Sequence, residues 1–171
     1  EVDSALNQAE GGIDPAFIRQ MPRTKALVQE ILRLYPSAWW FARQALTDDV
    51  IDGVPVKKGS SVLICPWVLH RHPDLWSDPE KLDPERFMQD QERDKFSYIP
   101  FGAGSRMCIG AHLGTSELVG IAAAFVSAFE LKALSGPLQS LKPYGGLTLA
   151  LPDGGLKITL KPRPLTGGTN A

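Results

Sequence analysis

Cys108 stands near the end of the loop Phe101-Gly-Ala-Gly-Ser-Arg-Met-Cys-Ile-Gly110, directly before an apolar, alanine-rich run at 111–129. A run of that composition is expected to be a buried helix, so the cysteine falls at a helix start. Free N–H groups and the positive end of the helix dipole gather there, and both favour thiolate over thiol. Arg106, two residues earlier, carries a planar fork suited to gripping a carboxylate. Gly102, Gly104 and Gly110 allow positive φ and a close approach of the backbone to a flat ligand. Taken alone, these residues describe an activated thiolate beside an anion-binding arginine. They leave two other readings open: an inert buried cysteine, or a nucleophile, for which His112 is the one histidine near a pairing position.

A second charged constellation lies upstream. Glu30 and Arg33 are one turn apart in a stretch where Leu27, Val28, Ile31 and Leu32 recur at helical spacing, and Pro36 ends the helix. Such a pair is either solvated and of little consequence, or buried in a network with further charges.

The elements that must position these groups are mixed in type. Residues 1–12 read as a helix end and a turn at Gly11-Gly12, and 37–46 as extended chain. A tight hairpin is expected at 49–59, a buried strand at 61–65 and a short helix within 68–76. Residues 79–100 are rich in charge and proline and lack a period, a length without structure that is unusual unless functional. Short strands follow the long helix at 131–134, 147–151 and 156–160, with a turn at 152–155 between the last two. The class is therefore mixed α+β, with helices and antiparallel strands segregated along the chain.

The chain's 171 residues suffice for one ordinary domain. With 18 basic and 19 acidic side chains it has no general electrostatic affinity for nucleic acid, so a charged partner must meet a local patch. Arg23, Arg93 and Lys95 are the candidates for such a patch. Two cysteines, Cys65 and Cys108, argue against a disulfide scaffold and fit a reducing, cytoplasmic compartment. No run of 18 apolar residues and no signal peptide is present, and residues 164–171 read as a flexible tail.

Three separated motifs give the chain a resemblance. The loop is similar to the haem-binding signature of cytochromes P450, Phe-x-x-Gly-x-Arg-x-Cys-x-Gly, with Phe101, Gly104, Arg106, Cys108 and Gly110 in place. Glu30-Ile-Leu-Arg33 resembles the family's Glu-x-x-Arg pair, and Pro84-Glu-Arg-Phe87 its Pro-Glu-Arg-Phe element. Glu117 resembles a glutamate of the helix that follows the cysteine.

The resemblance implies the C-terminal part of the mostly helical cytochrome P450 fold, with small antiparallel sheets. Residues 1–171 would then be the haem-ligand part of one domain, completed by an N-terminal part that carries the proton-delivery residues. It implies Cys108 as the thiolate ligand to the iron of haem b (iron protoporphyrin IX), donating electron density that favours O–O cleavage. Phe101, Gly102 and Gly110 would lie against the cofactor, Arg106 and Arg43 on its propionates, and Glu30, Arg33 and Arg86 in a buried three-way network. Ser37, Ala38 and Trp39, and later Leu147 and Thr148, fall in two segments that shape the substrate pocket, where bulky apolar residues suggest a hydrophobic substrate.

The implied activity is that of a haem-thiolate monooxygenase inserting one oxygen atom of O2 into a hydrophobic organic substrate, with electrons from a ferredoxin or flavin reductase. A haem-thiolate peroxygenase or isomerase is an alternative, as is a non-catalytic fragment that needs its N-terminal part. Gly114, His112 and Asp83 depart from the family pattern: a small alanine-like residue is usual at the first, an apolar or basic residue at the second, and in some relatives a basic residue at the third.

Overall fold

The structure, a computed structural model, describes residues 1–8, 15–89, 93–133, 143–151 and 158–164. Among the described residues, three helices precede the first strand: α1 (Val2–Gln8), α2 (Pro15–Arg19) and α3 (Pro22–Leu34). Pro22 opens α3 where its missing N–H is not needed. The carboxylate of Glu1 then caps that helix end from a distance in sequence, accepting from the N–H of Arg23 (2.9 Å), the N–H of Thr24 (2.8 Å) and the Thr24 hydroxyl (2.7 Å). An anion at the positive end of the dipole ties α1 to α3. As the spacing predicts, α3 stops just before Pro36.

α5 (Ala111–Ala128) crosses these helices and closes the core. Val2 and Ala5 of α1, Phe17 of α2, and Val28 and Leu32 of α3 meet Val119 and Ala123 of α5, with Met21 buried among them and Phe101 at the margin. The expectation of a buried helix is corrected here. Within α5 only Val119 and Ala123 are buried, whereas Leu113, Leu118, Ile121 and Val126 are exposed. α1–α3 meet one stripe of the helix, the residues spaced four apart. Apolar residues on every side of α5 could not tell which stripe that is. By length and mean hydropathy (1.2) α5 also suffices to cross a membrane, but Val119 and Ala123 are instead packed against α1–α3.

Four two-stranded antiparallel sheets complete the described residues. β1 (Phe41–Gln44) pairs with β4 (Ser61–Ile64), and β2 (Asp49–Ile51) with β3 (Val54–Val56) as the expected hairpin. β5 (Phe129–Ala133) pairs with β8 (Ile158–Pro162), and β6 (Tyr144–Gly145) with β7 (Leu149–Ala150). β4 is a strand but not a buried one: Ser61 and Leu63 are exposed and Val62 and Ile64 half-buried. A two-stranded ribbon has no second layer to cover it.

The short helix comes earlier than expected, as α4 (Pro66–Leu69), with turns continuing to Trp76. The stretch 79–100 is not without structure, because Pro84–Phe87 forms a 3₁₀ turn. β5 begins two residues before the expected strand at 131, β7 is shorter than 147–151, and its partner β6 was not foreseen. The turns at 11–12 and 152–155, residue 134, the start of the strand expected at 156, and the tail from 165 lie outside the described residues.

Met21→Ala is expected to lower the unfolding free energy by about 2–4 kcal/mol, read as a shift in the urea midpoint at unchanged slope, because the fully buried thioether would leave a cavity.

Candidate functional site

Glu30 and Arg33 are both fully buried on α3. Every N–H of the Arg33 guanidinium finds an acceptor. Nε donates to Glu30 Oε2 (2.7 Å), and Nη2 to Glu30 Oε1 (2.8 Å) and Lys81 O (3.1 Å). Nη1 donates to the carbonyls of His70 and Pro79, both at 2.7 Å. Glu30 Oε1 also accepts from the Asp83 N–H (2.8 Å) and lies 3.5 Å from Arg86 Nε. Arg86 in turn donates to Ser77 Oγ (3.2 Å) and Asp78 O (3.0 Å). Of the two readings left open by the sequence, the geometry is that of the buried network. A buried cation tolerates burial only with such compensation, so the carbonyls of residues 70, 79 and 81 are held where the cation needs them. That requirement folds an aperiodic stretch.

His70, fully buried in the turn after α4, extends the network. The Ile99 N–H donates to His70 Nε2 (2.9 Å), so the ring proton sits on Nδ1 and is donated to Arg33 O (3.1 Å). Burial, with the charges of Arg33 and Arg71 adding to it against the bond to Arg33 O, pushes the imidazole from its usual 6.5 down to about 4. The ring is therefore neutral at pH 7. Tyr98 packs on it with ring centroids 5.5 Å apart and donates its hydroxyl to Gln29 O (3.0 Å). Burial, seconded by the Glu30 charge, raises the Tyr98 phenol above its usual range.

From Ile99 the hydrogen bonds continue into the cysteine loop. The Gly102 N–H donates to Ile99 O (3.0 Å), the Met107 N–H to Gly104 O (3.1 Å) and the Cys108 N–H to Phe101 O (2.9 Å). Gly102 and Gly104 lie at φ 75° and 73°, the left-handed region that the tight path requires. A 3₁₀ turn (Gly104–Arg106) and the cap at Gly110 then lead into α5.

Cys108 is a free, exposed thiol at the start of α5, which sets aside the reading of an inert buried cysteine. Its neighbours Met107, Ile109 and Leu113 are exposed apolar side chains. A Cβ on Gly110 would stand 3.8 Å from Cys108 Sγ, an ordinary contact. Gly114 is equally unforced, since a Cβ there would lie 3.9 Å from the Phe101 ring. Arg106 is exposed and has no hydrogen-bond or ion-pair partner among the described residues. Arg43 projects from β1, stacked 4.8 Å over Phe41 with Nη1 on its neighbour Ala42 O (2.9 Å), and has no carboxylate partner among the described residues. No hydrogen bond or ion pair joins Arg43 to the 101–110 loop. This donor set suits a flat, apolar ligand that carries carboxylates and accepts a thiolate.

The family model for Cytochrome P450 matches residues 1–160. The chain belongs to the cytochrome P450 family. It is 36% identical over 168 residues to dimethylnonatriene synthase of Arabidopsis thaliana, which covers 95% of this chain and 32% of that protein. It is 34% identical over 167 residues to cyclooctatin synthase of Streptomyces melanosporofaciens, covering 95% of this chain and 35% of that one. The chain thus spans about a third of the length of the curated relatives it matches. The crystal structure of the cytochrome P450DA heme domain superposes with a TM-score of 0.82 at 25% identity, covering 96% of this chain and 37% of that domain. The mixed α+β pattern is that of a P450 heme domain's helices and small sheets.

The P450 resemblance assigned Ser37, Ala38 and Trp39 to one pocket segment and Leu147 and Thr148 to another. The two segments meet: the Leu149 N–H donates to Ser37 O (3.0 Å) and Trp39 Nε1 to Gly146 O (3.0 Å). Of the basic patch, Arg23 and Lys95 are exposed, but Arg93 is half-buried, stacked 4.5 Å over Phe87 and donating to Arg86 O. It serves the fold and is not a free surface cation. His70 escaped the sequence reading because nothing in Leu69-His-Arg-His72 separates the buried imidazole from the exposed His72.

Arg33→Ala is expected to cost about 3–5 kcal/mol in chemical denaturation, by leaving Glu30 buried without its partner, and to deplete the purified protein of haem. Arg33→Lys, which keeps the charge but not the fork, falls between it and the parent.

His70 makes stability depend on pH. Its folded pKa lies below its unfolded one, so the unfolded state binds the extra proton between about 6.5 and 4, and stability is complete above that window and lost on acidification through it. The expected loss is on the order of 3 kcal/mol. Urea midpoints measured from pH 7 to 5, above the carboxylate range, should fall in the parent and stay flat in His70→Gln.

Proposed function

We propose that this chain supplies the thiolate wall of a haem b monooxygenase, with Cys108 as the iron ligand. The observation that carries the reading is the exposed Cys108 thiol at the start of α5, on a loop bonded back to a buried charge network and beside an arginine with no partner among the described residues. Cys108 would ligate the iron through its exposed sulfur. Arg106 and Arg43 would hold the two propionates, each through its planar fork. Phe101, Gly102 and Gly110 would line the sulfur side of the haem, with Met107, Ile109 and Leu113 as the exposed apolar side chains around it. When bound, the haem iron supplies O2 binding and the oxidation that places one oxygen atom in the substrate and releases the other as water.

The pocket segments at Ser37, Ala38 and Trp39 and at Leu147 and Thr148 favour a small hydrophobic substrate. Residues 1–171 form the C-terminal ligand part of a domain that the N-terminal part of the same protein completes. A ferredoxin or flavin reductase provides electrons, with Arg23 and Lys95 as the exposed cations available to an acidic donor. The free thiols of Cys65 and Cys108 support a reducing, cytoplasmic compartment.

The reduced carbon monoxide complex of the full-length protein is expected to show a strongly red-shifted Soret band. Cys108→Ala should abolish that shift while circular dichroism stays that of a folded protein; a shift retained in this variant would sink the assignment. Product formation that requires an external electron donor separates monooxygenation from a peroxygenase or isomerase reaction.

A further inference from the structure

We propose that His70 is a proton-operated catch on the cysteine loop, so that acidification frees Cys108 from its ligating position while the rest of the fold stands. The inference rests on Cys108 as the iron ligand and adds how that position is regulated.

The imidazole is fully buried, and both of its nitrogens are committed. Nδ1–H donates to Arg33 O (3.1 Å), and Nε2 accepts from the Ile99 N–H (2.9 Å). The second bond exists only while the ring is neutral, because a protonated imidazole carries an N–H on both nitrogens. Protonation would set the new Nε2 proton against the Ile99 N–H and add a third cation to Arg33 and Arg71. Among the described residues, the groups that face the ring offer no carboxylate to absorb that charge. Tyr98, stacked on the ring at 5.5 Å, keeps its phenolic proton, and Glu30 is already held through both oxygens by Arg33, at 2.7 and 2.8 Å. The closed state therefore excludes the proton down to about pH 4, whereas an imidazole released to water binds it near 6.5.

The two sides of the ring are not equally firm. On the α3–α4 side, His70 O accepts from Arg33 Nη1 (2.7 Å) and the His70 N–H donates to Pro66 O (2.8 Å). On the loop side the Ile99 N–H is the one hydrogen bond to the ring, and Pro100 after it has no N–H to offer. Beyond Ile99 the bonds are internal to the loop: Gly102 N–H to Ile99 O and Cys108 N–H to Phe101 O. The hydroxyl of Tyr98, which donates to Gln29 O (3.0 Å), ties the chain to α3 only upstream of that point. Relief of the clash therefore falls on the segment from Ile99 to Cys108. The chain's other histidines, His72 and His112, are exposed and serve as controls.

The test follows the red-shifted band of the reduced carbon monoxide complex of the full-length, haem-loaded protein after jumps from neutral pH, with circular dichroism recorded alongside. Opening that exposes His70 takes up a proton, so a pKa that rises from about 4 to 6.5 favours the open state about twentyfold more at pH 5 than at pH 7. The parent's band should decay faster at pH 5 by that factor, over and above any rise in His70→Gln, whose amide oxygen can accept from Ile99 without titrating. Dichroism should hold while the band goes, and His72→Gln and His112→Gln should keep the parent's pH slope. Equal slopes in the parent and His70→Gln, a slope lost in His112→Gln, or a band that decays only in step with the dichroism would overturn the catch. If His70→Gln takes up no haem, His70→Asn replaces it, and a parent band that decays no faster at pH 5 than at pH 7 overturns the catch whatever either variant does. A parent that lacks the red-shifted band defeats the proposed function and the catch with it; a band whose decay ignores His70 defeats the catch alone.

Discussion

A guanidinium with no access to water organises this chain. Removing Arg33 from solvent would cost several kcal/mol if its N–H groups and charge were left unanswered. The answer comes from a carboxylate one turn away and from three backbone carbonyls of residues distant in sequence. Because those carbonyls belong to the stretch after α4, the charge converts an aperiodic segment into a defined one. Trp76 lies against the same guanidinium, its ring centroid 5.0 Å from the central carbon, so packing and charge converge on one point.

The thiol inherits its position from this arrangement. Cys108 is exposed, and among the described residues the core beneath α5 reaches Val119, Ala122, Ala123 and the margin at Phe101. Hydrogen bonds must therefore hold the loop, and they lead from its backbone through Ile99 and the His70 imidazole to Arg33 O. Such a design separates two demands. Rigidity comes from a buried polar network, and the face that meets a ligand stays open, with apolar side chains and guanidinium groups not yet matched.

Much of this was legible in the sequence, and the limits have physical causes. α3 shows its period in Leu27, Val28, Ile31 and Leu32, and Pro36 stops it as expected. The Phe101–Gly110 loop carries fixed spacings, so its residues and its place before a helix could be read directly. The buried side of α5 could not, because a helix apolar all round has no stripe to read. Composition predicts a buried β4, but one partner strand cannot cover Leu63. His70 and Tyr98 were missed since a buried imidazole and an exposed one look alike until tertiary contacts choose between them. β6 is two residues long, and its Gly145 makes sense only once Trp39 lies against it.

The central claim is that the buried network holds the cysteine loop through His70. Amide hydrogen exchange in the full-length, haem-loaded protein tests it most directly, by comparing Ile99 and Cys108 in the parent and in His70→Phe. The N–H of Ile99 is bonded to the imidazole itself, and that of Cys108 is bonded within the loop beyond it. The account predicts that exchange at both amides accelerates together when the imidazole is removed. Faster exchange at Ile99 with an unchanged rate at Cys108 would contradict it.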